Sequence, residues 1–282
     1  MQELTGKLAV ITGAASGIGK GLAEKAAGLG MNLVLADLDE AGLEKLKGDL
    51  SVTCGISVEV RRIDVSRPEE MQALAGLAFD RFGVVDLLFN NAGVMMTGMT
   101  WEHDLRDWNW VMGVNVNGVV NGVSSFLPRM MAQGTPARII NTGSVAGFLP
   151  SPTTSIYSAS KRAVISLSET LQFELEMARS RVRVSVICPG AVNTQIADAD
   201  RHRPEEERPV EDETKKAMKE QLRQGIAASG MDPVALADIV FKAISEDKFW
   251  IMPHPGYLPR IREEAAAIAR LENPVYTPLV DM

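Results

Sequence analysis

Near its amino end the chain joins a buried strand to a helix through glycines, and this join limits the possible folds more than any other feature. LAVIT (Leu8–Thr12) runs directly into GAASGIG, and a segment with helical apolar spacing, Ile18–Leu29, follows. A strand without polar alternation is covered on both faces, which points to a parallel sheet between helix layers. The same alternation continues. NLVLAD (Asn32–Asp37), SVEVRRID (Ser57–Asp64), VDLLFNNAG (Val85–Gly93), ARIINTGS (Ala137–Ser144), RVRVSVICPG (Arg181–Gly190) and the start of FWIMPHPGYLP read as strands. Helices are predicted over Glu40–Leu50, Pro68–Phe82, about Trp108–Gln133, Thr154–Ala178 and about Arg260–Leu271. Alternating strands and helices predict an α/β fold with a doubly wound parallel sheet of about seven strands and right-handed crossovers.

Two stretches break the rhythm. Residues 195–231 are polar and charged and follow a Pro-Gly turn at a strand's carboxyl end, where ligands sit in open α/β sheets. A substrate lid is the preferred reading, and a solvated insertion is the alternative. Residues 253–282 read as a C-terminal extension. With no internal repeat or low-complexity linker, 1–282 reads as one domain. The net charge of −7 gives no electrostatic support for nucleic-acid binding. No apolar run reaches the roughly 20 residues a membrane span needs, and the amino end lacks the basic and apolar regions of a signal peptide. Cys54 and Cys188 have no metal-ligand spacing, so no metal site is expected, and a reducing, cytoplasmic location is.

The glycine turn is the candidate cofactor site. Its glycines at 13, 17 and 19 do not have the usual dinucleotide spacing, but they allow a tight turn and close approach of the backbone to a pyrophosphate. The helix beyond offers free N–H groups and the positive end of its dipole. Gly13, Ser16, Gly17, Ile18 and Gly19 would face the cofactor. Asp37, eighteen residues after Gly19, ends the second strand. Its carboxylate suits the adenosine ribose hydroxyls and repels a 2′-phosphate, and neither position 16 nor 38–39 supplies a basic residue. NAD is therefore expected over NADP; a turn or cap role for Asp37 is the alternative. Asp64 and Val65 close the third strand beside the adenine. Asn91, Ala92 and Gly93 close the fourth beneath the ribose. Either group could equally be strand-end turn chemistry.

Tyr157 and Lys161 in YSASK stand one helical turn apart, thirteen residues after Ser144. A phenol with an ordinary pKa near 10 is a poor base at neutral pH, and an adjacent cation favours its phenolate. Tyr157 then becomes a usable general acid or base, with Ser144 holding the substrate oxygen.

Taken together, TGAASGIG, Asp37, Asp64–Val65, NNAG (90–93), Asn115 in GVNVNG, Ser144, YSASK and Pro189–Gly190 resemble the short-chain dehydrogenase/reductase family, from about Leu4 to Val192 and more loosely to Met252. The resemblance implies a Rossmann-type domain and a catalytic tetrad of Asn115, Ser144, Tyr157 and Lys161. It implies that Lys161 and Tyr157 also meet the nicotinamide ribose, and that Pro189, Gly190, Val192 and Thr194 meet the nicotinamide. Asn115 would distort its helix and hold a water behind Lys161. Packing of the two long helices against a neighbour implies a homotetramer, with a dimer second.

For the substrate, the expected pocket wall is Met95, Val145, Ala146, Phe148, Ala191 and Ile196, an apolar set that suits a small hydrophobic alcohol or ketone. The lid and the WIMPHPGYLPR segment are loosely similar to a subgroup with bacterial aryl-alcohol dehydrogenases. His254 or Tyr257 could reach the pocket or anchor the tail. The rival to enzymatic function is a non-catalytic NAD-binding regulator on the same scaffold, which would need the glycine turn but not the tetrad.

Overall fold

A computed structural model describes residues 4–203, 206 and 213–276. The chain alternates β1 (Leu8–Thr12), α1 (Gly17–Gly28), β2 (Asn32–Asp37), α2 (Glu40–Cys54), β3 (Val58–Arg62), α3 (Pro68–Phe82) and β4 (Leu87–Asn90). Then come α4 (Leu105–Met112), α5 (Gly118–Ala132), β5 (Ala137–Thr142), α6 (Ser155–Met177) and β6 (Val182–Ile187). After these come α7 (Glu213–Ser229), α8 (Pro233–Ser245), β7 (Trp250–Ile251) and α9 (Leu258–Ala269). The strands form one parallel seven-stranded sheet in the order β3-β2-β1-β4-β5-β6-β7. This is the Rossmann-type arrangement that the sequence predicts. The strand order reverses between β1 and β4, which opens a crevice at the carboxyl ends of those strands.

Alternation along each strand divides the core in two. Ala9, Ile11, Leu33 and Leu35 face α1, α2 and α8, whereas Leu8, Val10, Val34 and Ala36 face the layer of α3, α5 and α6. All of them are buried, so β1 and β2 carry no polar face. The ends of α3 follow local chemistry: Pro68 opens it, Glu69 and Glu70 occupy its first turn, and Gly83 at φ 79° ends it.

Four features differ from the sequence expectation. The strands end up to three residues earlier, because residues past Arg62, Asn90, Thr142 and Ile187 turn away to form the rim of the crevice. The long helix expected near 108–133 is two helices, α4 and α5, with a π-helical turn at Gly113–Asn117 between them, where the resemblance implies a distortion at Asn115. The polar segment 195–231 holds a 3₁₀ turn, Ile196–His202, and the helix α7; its residues 204–205 and 207–212 lie outside the described residues, as do 277–282 of the C-terminal extension. Finally, α8 was not anticipated. Asp232 caps it by accepting from the amides of Val234 and Ala235, a contribution of about 1 kcal/mol. It packs so closely on α1 that a side-chain carbon on Gly21 would meet the Pro233 carbonyl oxygen at 2.5 Å.

Candidate active site

The crevice at the switch point is a cavity of about 360 Å³. Its floor is built by close contact between the β1 and β4 ends. The Thr12 hydroxyl accepts from the amides of Asn91 (3.0 Å) and Ala92 (3.1 Å), and the Asn91 amide group donates to the Thr12 carbonyl at 2.9 Å. Gly13 and Gly17 take positive φ, 67° and 52°, which only glycine adopts without strain. A side-chain carbon on Gly19 would overlap the Gly13 carbonyl oxygen and stand 2.7 Å from the Asn91 side-chain nitrogen. Ser16 caps α1 without a side-chain hydrogen bond, and no acidic residue occupies the first turn. The first turn thus carries no internal anion, and its amides face a cradle that side chains would fill. This fits the pyrophosphate of a dinucleotide.

At one end of the cavity the Asp37 carboxylate is fixed, accepting from the Ala15 amide (3.0 Å) and the Asp39 amide (3.1 Å). The helix cap is Asp39, which accepts from the Gly42 amide at 3.0 Å. Asp64 lines the cavity too, but its carboxylate also accepts from the Ser66 amide and hydroxyl at 2.9 and 2.7 Å, which is strand-end turn chemistry. Val65 packs under Gly118 of α5, where a side-chain carbon would come within 2.8 Å.

At the other end stand Ser144, Tyr157 and Lys161. Ser144 follows β5; its buried hydroxyl accepts from the Ala146 amide (3.1 Å) and lies 3.4 Å from the Pro189 carbonyl. Tyr157 and Lys161 project from the first turns of α6. Burial pushes the Tyr157 phenol above its ordinary pKa, and a hydrogen bond with Ser144 pulls the other way. Lys161 is buried, and desolvation lowers its ammonium to about 8. Its Nζ donates to the Thr142 carbonyl at 2.8 Å and lies 5.6 Å from the centre of the Tyr157 ring. The expected lowering of the Tyr157 pKa by this cation is not what the structure shows: burial of the phenol raises it. Cys188 lies behind Gly143, and burial raises its thiol to about 12, which leaves it protonated and inert.

Asn115 does not line the cavity. It is buried in the π-helical turn and clamps the chain after β4: its side-chain oxygen accepts from the Val94 amide at 2.8 Å, and its nitrogen donates to the Val94 carbonyl and the Ser160 hydroxyl, both at 2.9 Å. The inserted residue of a π turn is what aims this side chain across to the strand end.

The chain can now be set beside known proteins. A family model described as short chain dehydrogenase matches residues 7–205. The chain belongs to the short-chain dehydrogenase/reductase family. Its relatives include a CLA biosynthesis dehydrogenase/reductase of Lactiplantibacillus plantarum, 34% identical over 272 residues and covering 95% of each chain. A C alpha-dehydrogenase of Sphingobium is 34% identical over 95% of this chain and 87% of its own. A short-chain dehydrogenase/reductase of Burkholderia phymatum, solved in complex with NAD, superposes with a TM-score of 0.95 at 45% identity, covering 99% of this chain and all of that one. Oxidoreductase chemistry with a nicotinamide cofactor is thus the class of this family member.

Within the cavity of this short-chain dehydrogenase, the expected glycine-turn residues Gly13, Ser16, Gly17, Ile18 and Gly19 come together with Asn91, Ala92 and Gly93. Pro189, Gly190, Val192 and Thr194 face them, with the Thr194 methyl close over Gly17. Of the expected substrate wall, Met95, Ala191 and Ile196 line the cavity. Val145, Ala146 and Phe148 do not. Val145 is buried against Leu149 and Tyr257, and Phe148 packs on Trp250 with ring centres 5.7 Å apart, because the 3₁₀ turn after Ser144 rolls this segment onto the C-terminal layer. His254 and Tyr257 sit behind the Pro-Gly turn rather than in the cavity. The Gly190 amide donates to His254 Nδ1 at 3.0 Å, and the Tyr257 ring abuts Gly190. Trp110 and Val114, which the sequence reading does not name, also line the wall, as do His202, Leu222 and Ile226 of the segment read as a lid. The apolar spacing of Leu222 and Ile226, four residues apart on an otherwise polar helix, was the available signal.

Proposed function

We propose that the protein moves a hydride between NAD(H) and a hydrophobic secondary alcohol or its ketone, with Tyr157 as general acid and base. The observation that carries this reading is that one cavity joins an open helix terminus at the glycine turn to Ser144, Tyr157 and Lys161. The cofactor, when bound, supplies or accepts the hydride at the substrate carbon. The chain's own residues manage the proton and the geometry. Ser144 donates a hydrogen bond to the substrate oxygen and orients it. In reduction Tyr157 gives its phenolic proton to that oxygen; in oxidation it takes the hydroxyl proton back. The Lys161 ammonium stabilises the phenolate that forms in the low-dielectric wall. Asn115 fixes the strand end that carries Gly93 beneath this group.

The preference for NAD over NADP is supported by the fixed Asp37 carboxylate, which would repel a 2′-phosphate. Hydrophobicity of the substrate is supported by Met95, Trp110, Val114, Ile196, Leu222 and Ile226 around the cavity. We read the chain as one catalytic domain in which 195–231 serves as the lid, since Gln195, Ile196, Leu222 and Ile226 reach the cavity, and 253–282 as an extension that braces Pro189–Gly190. Phe173 and Met177 on α6 are 61% and 84% exposed, which favours burial against another copy in a homotetramer, with a dimer second. A monomeric mass by light scattering would refute assembly. Free thiols at Cys54 and Cys188 suit a cytoplasmic location; among the described residues no helix is long and apolar enough to cross a membrane. The test of the main reading is NADH formation from NAD with secondary alcohols, compared with the Tyr157→Phe variant.

A further inference from the structure

The 3₁₀ turn Ile196–His202 reaches past the substrate end of the cavity. Arg201 and His202 line the same cavity as Asp37 and Leu38 at the end of β2, the end opposite Tyr157. The turn is braced from several sides. Arg201 donates to its own turn's carbonyls, Gln195 and Asp198, both at 2.9 Å. From α7, Arg223 holds the Asp198 carboxylate, and Lys219 holds both oxygens of Asp200 at 2.8 Å. His202, the last residue of this braced turn, is half-buried. The charges that act on it are Arg201 on its own turn and Asp37 and Asp39 across the cavity. Burial and Arg201 lower its pKa, against the pull of the two aspartates, so the ring is neutral at neutral pH. A neutral imidazole presents one donor and one acceptor. Each oxygen of the Asp37 carboxylate accepts from one backbone amide, which leaves acceptor capacity turned toward the cavity.

We propose that His202 is a binding residue for the adenosine half of the nicotinamide cofactor, closing from the lid turn onto the ribose that Asp37 faces. The cofactor is then held between the β2 end and the lid, so one element covers both the substrate end and the adenosine end of the cavity. This rests on the nicotinamide-binding reading and deepens it with a residue remote from the glycine turn in sequence.

The test uses binding alone. ADP-ribose affinity is measured by calorimetry and NADH affinity by fluorescence titration, for the full chain and for His202→Ala and His202→Gln. His202→Ala should weaken both ligands about five- to tenfold. His202→Gln, which keeps a donor and an acceptor, should recover part of the loss. Circular dichroism identical to that of the parent excludes misfolding. ADP-ribose binding within twofold of the parent in both variants would overturn the proposal while leaving the cofactor reading intact. If the parent chain binds neither ligand, the cofactor reading itself fails and the proposal goes with it.

Discussion

Lys161 is a buried cation of the site, and replacing it with methionine should stabilise the protein while abolishing turnover. Its side chain is 4% exposed, and desolvation lowers its pKa from 10.5 to about 8. At about 1.4 kcal/mol per pKa unit, keeping the ammonium charged in the folded state costs about 3 kcal/mol at neutral pH. Methionine removes that cost but leaves the Thr142 carbonyl without its 2.8 Å donor, a loss of about 1 to 2 kcal/mol. The net gain of Lys161→Met near pH 7.5 should be about 1 to 2 kcal/mol. The pH dependence provides the sharper test. The folded lysine loses its proton before the unfolded one as pH rises, so the parent gains stability above about pH 8 and the advantage of the variant shrinks. Between about pH 7.5 and pH 9 the shrinkage should be about 1 kcal/mol. Cys188 and Tyr157, whose pKa values are raised, act in the opposite sense at higher pH. Removing Lys161 raises the Cys188 thiol further, but it is protonated up to about pH 9 in both folded proteins, so this effect largely cancels in the difference. Urea unfolding of both proteins at the two pH values measures it. A variant less stable than the parent at pH 7.5, or an advantage that does not change with pH, would refute the burial cost assigned to Lys161.

Further outcomes follow from the same geometry. Tyr157→Phe should lower turnover at least a hundredfold with NADH affinity nearly kept, because the ring still packs and only the proton carrier is lost; steady-state rates and a fluorescence titration separate the two. Gly19→Ala should lower stability by about 1 to 3 kcal/mol and weaken cofactor binding strongly, since the added carbon meets the Gly13 carbonyl and Asn91; urea unfolding and NADH titration read both. Catalytic efficiency with NAD should exceed that with NADP at least tenfold, and equal values would remove the role given to Asp37.

The sheet and the glycine turn were legible because their signals are local: apolar runs of strand length, glycines where the chain must turn, and Pro68 and Gly83 at the ends of α3. Tyr157 and Lys161 could be paired because helix geometry alone puts them on one face. The unreadable parts depend on contacts distant in sequence. Pro233–Ser245 has local signals in its Asp232 cap and Pro233 that the sequence reading passed over, whereas its place in the core comes from packing on α1, distant in sequence. The π turn at Gly113–Asn117 lies where the resemblance implies a distortion at Asn115, but its partners Val94 and Ser160, neither of which is near it in the chain, could not be read. Val145 and Phe148 follow Ser144 so closely that their place in the sequence suggests a pocket role, but their partners Tyr257 and Trp250 draw them away from the cavity. His202 reaches the neighbourhood of Asp37 only through the path of the lid.

The central claim is that Tyr157 carries the proton in an NAD-linked oxidation of hydrophobic secondary alcohols. The most direct measurement is NADH formation by the purified protein across secondary alcohols from short aliphatic through aryl to steroid-like, with Tyr157→Phe alongside. The account predicts activity confined to the bulky hydrophobic alcohols and lost in the variant. Silence across the panel from a protein that binds NADH, or full activity in Tyr157→Phe, would contradict it.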